Sequence, residues 1–226
     1  MILPADLLFE DNHLIAINKK PSQIVQADKT GDISLDSMVR EYIKIRYKIS
    51  GEIYLGIIHR IDRRASGVVL FARTGEALTG MNRLFSEGQV RKTYMAITGK
   101  MPPVESVRLE HWLKKNEKQN KSYAYNEPVA GSKLAVLNYK VTGRSDRYYL
   151  IEIELLTGRH HQIRCQLSSI GCPVKGDLKY GYPRSNKDGS ISLHARSMEF
   201  IHPVTLKPVI ITAPVPQDKL WRIFGG

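Results

Sequence analysis

The chain has 226 residues, with 34 Lys+Arg against 22 Asp+Glu and a formal net charge of +12. Hydrophobic residues make up 42% and charged residues 25%, proportions that exclude wholesale disorder, collagen-like repeats and a disulfide scaffold. No apolar run approaches the roughly 20 residues of a membrane-spanning helix, the opening MILPADLLFEDNH lacks the basic start and apolar core of a secretory signal, and Cys165 and Cys172 form no metal-ligand set, so two reduced thiols in a cytoplasmic protein are expected.

Residues 7–18, LLFEDNHLIAIN, read as two short strands around the turn-prone pair Asp11-Asn12, and Lys19-Lys20-Pro21 ends the second. In residues 34–47, Leu35, Met38, Val39, Tyr42 and Ile43 fall on one helical face, with Ser34 placed to cap the start. The run GVVLFAR at 67–73 suits a buried strand. Residues 75–86 read as a helix between a Thr74 cap and Gly88. From residue 91 the pattern shifts to strands: RKTYMAITG, KLAVLNYKVTGR and RYYLIEIELLTG are rich in β-branched and aromatic residues. The basic stretch 114–122 between the first two reads as an exposed loop. A helix is expected over 161–170 with Gly171 as its stop, then a loop at 182–190, strands near 192–200 and 208–213, and a short helix in DKLWRIF. Helices interspersed among hairpin-linked strands point to a mixed α/β (α+β) domain with a largely antiparallel sheet.

Charge is uneven. Residues 1–113 carry 16 basic and 13 acidic side chains, and residues 114–226 carry 18 and 9. A basic region suits a polyanion, whose counterions are released on binding, although a solubilising surface has the same composition.

Three segments place polar residues beside apolar strands. In Ile58–Gly67, one carboxylate, Asp62, stands among Arg60, Arg63 and Arg64. Positive neighbours favour the ionised form, which suits a nucleophile or base and equally a structural ion pair. Leu156–Arg164 passes from a strand through Gly158 into a helix, whose free N–H groups suit phosphate or carboxylate, with Arg164 one turn in. Arg91–Ala96 puts Tyr94 on a strand face with Lys92 and Ala96, where it is available for stacking or for the core. There is no G-x-S-x-G elbow, Walker loop or G-x-G-x-x-G. The spacings of His59, His160, His161, His194 and His202 match no common zinc pattern.

Together these segments resemble the RluA-type branch of the RNA pseudouridine synthases. HRIDRRASG is similar to that family's H-R-L-D-x-x-T-S-G, Lys92–Ala96 to K-x-Y-x-A, and Thr157–Arg164 to T-G-R-x-H-Q-I-R. FEDNHLIAINKKP, the P-x-x-G-D-x-x-Y block at Pro173–Tyr180 and LHARSMEFIHP extend the resemblance from about residue 9 to residue 203, in family order. The chain departs from the pattern at Ala65, where Thr is usual, at Ile61 for Leu, and at His160 for a small polar residue.

The resemblance implies one catalytic domain over 1–226, with a mixed, largely antiparallel central sheet, flanking helices and a basic catalytic cleft. It leaves no room for the ~60-residue RNA-binding module that some relatives carry at the N-terminus. Asp62 would be the catalytic aspartate, Arg164 its partner, and Tyr94 the ring against the target uracil. Arg60 would enter the RNA stack as the nucleotide leaves it, and Ile163 would pack on the base. His59, Arg63, Arg159, Lys114, Lys115 and Lys118 are expected RNA contacts. The implied reaction breaks the glycosidic bond of uridine, turns the base and joins C5 to C1′, so it requires no redox cofactor and no metal. The carboxylate either adds to the sugar or removes its 2′ proton. The implied partner is structured tRNA or rRNA with a flipped uridine, bound by a monomer, with neither DNA nor membrane involved. A competing expectation is an RNA-binding or RNA-folding protein of the same fold without turnover. A carboxylate glycosidase is disfavoured, because Asp62 has no second carboxylate in these motifs.

Overall fold

The computed structural model describes residues 2–28 and 31–225. It divides into two compact units, Met1–Val90 with Ala195–Pro214, and Arg91–His194 with Val215–Gly226. The fold is α+β, with a mostly antiparallel sheet.

In the first unit β1 (Leu7–Glu10) and β2 (Leu14–Lys19) form the expected hairpin. The Asp11 carboxylate accepts the backbone N–H groups of His13 and Leu14 at 2.8 and 2.7 Å, which fixes the turn. β2 pairs with β4 (Ser66–Ala72), to which the two-residue β3 (Gly56–Ile57) also pairs. β10 (Leu193–Ile201) lies beside β4, and β11 (Pro208–Thr212) pairs with β10.

Helices α1 (Leu35–Tyr47) and α2 (Gly75–Ser86) cover opposite faces of this sheet. Ile15, Ile17, Val69 and Phe71 pack with Leu35, Val39 and Ile43 of α1. Their neighbours Leu14, Ala16, Val68 and Leu70 pack with Ala77, Met81 and Leu84 of α2. Alternate side chains of a strand point to opposite faces, so a strand covered on both sides reads as one unbroken apolar run. Thr74 caps α2 by accepting the Ala77 N–H at 3.2 Å. Ser34 occupies the N-cap position of α1 without a side-chain cap bond. Its hydroxyl is instead engaged with the side chains of Asp36 and Ser37.

The second unit is a sheet in the order β5 (Arg91–Thr98), β9 (Tyr149–Leu155), β8 (Lys133–Arg144), β6 (Ser106–Asn116), β7 (Lys121–Tyr125). The loop expected at 114–122 is corrected here. Lys114 and Lys115 sit on β6, Lys121 and Ser122 on β7, and only residues 117–120 form the turn. The stretch is polar along its length, so its composition resembles a loop. Order comes from across the hairpin, where Lys114 faces Tyr123 and Lys115 faces Ser122.

Helix α3 (Gln162–Ser169) closes one face of this hairpin, where Leu113 and Ala135 pack with Cys165 and Tyr180, and Ala124 packs against the cluster. Both cysteines are free and buried. The short α4 (Lys219–Arg222) seats Trp221 against Ile97 and Leu150, with Asp218 accepting the N–H groups of Leu220 and Trp221 at its start.

Candidate active site

Asp62 belongs to the first unit, and Tyr94 and Arg164 to the second. In the first unit the segment from His59 to Gly67 enters β4. His59 is half-buried, stacks on Phe85 with 5.5 Å between ring centroids, and accepts the Leu70 N–H on Nε2 at 3.0 Å. That bond assigns the proton of a neutral ring to Nδ1 and fastens the segment to β4. Arg60, Arg63 and Arg64 are exposed around the half-buried Asp62. The Asp62 carbonyl accepts the Ala65 N–H at 3.0 Å, which closes a tight turn. Arg63 pairs with Asp32 at 2.7 Å, on the surface, where such a pair contributes little stability.

The turn leads into Gly67, whose φ is +111°. A Cβ built there lies 2.2 Å from the carbonyl oxygen of Ala195. Backbone conformation and close approach therefore both demand glycine at the end of the HRIDRRASG block.

Lys19 holds the turn from behind, a role that the sequence reading missed. Its side chain is wholly buried, and Nζ donates to the carbonyls of Lys20, Gln23 and Arg63 at 3.0, 2.9 and 3.0 Å. The Ser22 N–H donates to the same Arg63 carbonyl at 2.9 Å. Burial drives the Lys19 pKa down to about 7, the Asp62 charge opposing this and Arg63 adding to it. The only sequence signal was a lysine ending a strand directly before Lys20-Pro21.

In the second unit Tyr94 lies opposite Ile153 on β5 and is half-buried. On the same face Lys92 is desolvated, which lowers its pKa. The block Thr157–Arg164 folds on itself. The Gln162 side chain accepts from Thr157 Oγ1 at 2.8 Å and from the Arg159 N–H at 2.9 Å, and donates to the Val136 carbonyl at 3.1 Å. His161 occupies the N-cap of α3 in the left-handed region, at φ +52°.

Arg164 is 5% exposed and forms a bidentate ion pair with the fully buried Asp177, Nε to Oδ2 at 2.6 Å and Nη2 to Oδ1 at 2.8 Å. Two parallel charge-assisted bonds fix both the position and the plane of a guanidinium. Asp177 was not among the expected residues, although it is the Asp of the P-x-x-G-D-x-x-Y block. The Tyr of that block, Tyr180, lies 4.9 Å from the Arg164 guanidinium, ring centroid to Cζ. Its hydroxyl accepts the Ser122 N–H at 2.8 Å and faces His161 Nδ1 at 3.1 Å. Burial, with the positive charge of Arg164, lowers the His161 pKa to about 2, so the ring is neutral. Burial raises the Tyr180 pKa, which keeps the hydroxyl protonated.

Ile163 is 4% exposed beside Arg164. Arg159 is exposed, and its Nε donates to the Leu134 carbonyl at 2.9 Å. Lys114, Lys115 and Lys118 are exposed on the β6–β7 hairpin, Lys115 pairing with Glu117 at 2.6 Å. Among the described residues, no group of three or more His, Cys, Asp and Glu is arranged to hold a metal ion, and no helix is long and apolar enough to cross a membrane.

Residues 13–169 match the family model described as RNA pseudouridylate synthase. A Bacillus subtilis protein described as an uncharacterized RNA pseudouridine synthase is 31% identical over 218 residues, covering 94% of this chain and 69% of the relative. The ribosomal large subunit pseudouridine synthase D of Xylella fastidiosa is 30% identical over 229 residues, covering 96% and 67%. The solved structure of human RNA pseudouridylate synthase domain containing 4 has the same fold, with a TM-score of 0.77 at 23% identity over 93% of this chain and 88% of that one. The matched span contains the Asp62 turn, Tyr94 and Arg164, and the chain therefore belongs to the RNA pseudouridylate synthase family, in its RluA-type branch, as an isomerase that converts uridine to pseudouridine in RNA.

Proposed function

We propose that the chain modifies specific uridines in structured tRNA or rRNA, with Asp62 as the catalytic carboxylate and the target base flipped out of its stack. The observation that carries this reading is the construction of the Asp62 turn. A buried lysine, a ring-to-backbone bond from His59 and an obligatory glycine hold one carboxylate among three exposed arginines. Pre-organising a short segment so heavily suits chemistry better than a solvated surface turn.

In this reading Asp62 attacks the sugar or removes its 2′ proton, and Arg164 takes the partner role that the family motif gives it. Tyr94 lies against the uracil and acts near its C5 proton. Arg60 replaces the departed nucleotide in the stack, offsetting part of the few kcal/mol that flipping costs, and Ile163 packs on the base. Arg63, Arg159 and the hairpin lysines hold phosphates. The detached base is kept from water until C5 rejoins C1′.

The test is carbodiimide mapping of pseudouridine in unmodified tRNA and rRNA after incubation with wild type and with Asp62→Ala. New primer-extension stops with wild type alone are expected, and they identify the substrate. Stops that persist with Asp62→Ala refute the catalytic assignment. RNA binding without stops from either protein favours a binding protein without turnover.

A further inference from the structure

The β6–β7 hairpin has two unlike faces. The inward one, with Leu113 and Ala124, packs on Cys165 and Tyr180. It is tied down at Ser122, whose N–H donates to Tyr180 Oη at 2.8 Å and whose hydroxyl donates to the His160 carbonyl at 2.7 Å.

Register assigns the outward face. Trp112 lies between Leu134 of β8 and Tyr125 of β7, Lys114 faces Tyr123, and Asn116 faces Lys121. Trp112 and Lys114 of β6 and Tyr123 and Tyr125 of β7 thus share the side that α3 does not cover, with Lys121 at its end. Tyr123 and Tyr125 are 38% and 39% exposed, and Leu134 38%. The Lys121 ammonium lies 5.4 Å from the Tyr123 ring centroid and 5.2 Å from that of Tyr180. Tyr123 Oη donates to Gln119 Oε1 within the turn, so the ring loses little freedom on receiving a ligand. Arg159 reaches the same edge through its bond to the Leu134 carbonyl.

We infer that this outward face, Trp112, Tyr123 and Tyr125 interleaved with Lys114 and Lys121, binds unpaired nucleotides of the RNA substrate outside the catalytic site. Bases stack on the rings and phosphates meet the ammonium groups, the combination by which proteins hold single strands with little sequence preference. Cross-strand packing alone explains the pairing of Trp112 with Tyr125. It does not explain two exposed tyrosine rings beside Lys114 and Lys121, which complement a polyanion and would repel a basic partner. The inference rests on RNA being the substrate, and it assigns recognition of flanking single-stranded nucleotides to the hairpin.

The experiment titrates hexauridylate into the full chain and follows tryptophan emission. The chain has two tryptophans, and Trp221 is only 3% exposed, so quenching by a stacked base reports Trp112. Wild type is expected to be quenched on binding. Tyr123→Ala and Tyr123→Leu each weaken binding about tenfold, within the range for loss of one stacked base, and Tyr123→Phe restores it. Tyr123→Leu keeps an apolar side chain in the hairpin, and circular dichroism verifies that each variant is folded. Lys114→Ala weakens binding and flattens its salt dependence. Absence of quenching, or hexauridylate affinities of Tyr123→Ala and Tyr123→Leu within twofold of wild type, overturns the inference. Equal weakening by Tyr123→Phe and Tyr123→Leu overturns it too, since stacking requires only the ring. Pseudouridine mapping with the same wild-type preparation separates the two readings. Pseudouridine formed with no hairpin effect sinks only this surface, and a hairpin effect with no pseudouridine in any RNA sinks only the catalytic reading.

Discussion

Asp177→Ala removes a carboxylate that is fully buried and leaves the Arg164 guanidinium, 5% exposed, without its bidentate partner. Two charge-assisted hydrogen bonds are lost, each worth about 1.5–3 kcal/mol. Removing one partner of a buried pair costs about 3–5 kcal/mol. The surrounding turn has other support, since the Asp177 carbonyl accepts the N–H groups of Tyr180 and Tyr182 at 3.1 and 3.0 Å. The loss is therefore chiefly that of the ion pair. Urea unfolding at pH 7 is the assay, followed by tryptophan emission, because Trp112 and Trp221 both lie in the unit that contains the pair. With a slope of about 2–3 kcal/mol per molar urea, the midpoint should fall by about 1–2 M. The double variant Arg164→Met with Asp177→Leu removes both charges, and it should return to within about 1 kcal/mol of wild type while remaining inactive. A fall below about 1 kcal/mol for Asp177→Ala, or a double variant as unstable as the single one, would refute the buried-charge argument.

Lys19 gives a pH prediction. Its pKa is about 7 in the folded chain and returns to the ordinary lysine value on unfolding, so between about 7 and 10.5 the unfolded chain binds more protons. The cost of burying the charge is full below about pH 7 and is relieved as pH rises. Wild type should therefore gain stability over Lys19→Met by up to about 1.4 kcal/mol per pH unit in that window, read as diverging urea midpoints; parallel midpoints would contradict it. Gly67→Ala adds a Cβ 2.2 Å from a backbone oxygen at φ +111°, and a loss of about 3 kcal/mol should lower Tm by roughly 6–12 °C, whereas an unchanged melt would refute the steric reading. Tyr180→Phe takes the acceptor from the Ser122 N–H and the hydroxyl partner from His161 Nδ1. It should cost about 1–3 kcal/mol, with faster hydrogen exchange at the Ser122 amide, and retained protection there would contradict it. Replacing Lys114, Lys115 and Lys118 together with Ala should reduce the slope of log affinity against log salt by about 2, and an unaltered slope would place the RNA backbone elsewhere.

Local chemistry made most elements of this chain legible. The Asp11 turn, the Thr74 cap, the stops at Gly88 and Gly171 and the apolar run of β4 each leave a signal within a few residues, because caps, turns and strand alternation are short-range. The family motifs added Asp62, Tyr94 and Arg164 as candidate site residues. The hairpin at 106–125 was not legible, since its order comes from cross-strand partners and from α3 beneath it, and its own composition is that of a solvated loop. Nor was the support of the site. Lys19 is 43 residues before Asp62 in sequence, and Asp177 is 13 beyond Arg164 across a turn. Whether such a charge is solvated, buried or paired depends on which distant backbone or carboxylate it meets. The sequence alone therefore determined the family motifs and where the short-range elements begin and end. The tertiary structure decided how those residues are held, because desolvation and hydrogen bonding act between groups that the fold, rather than the chain order, makes neighbours.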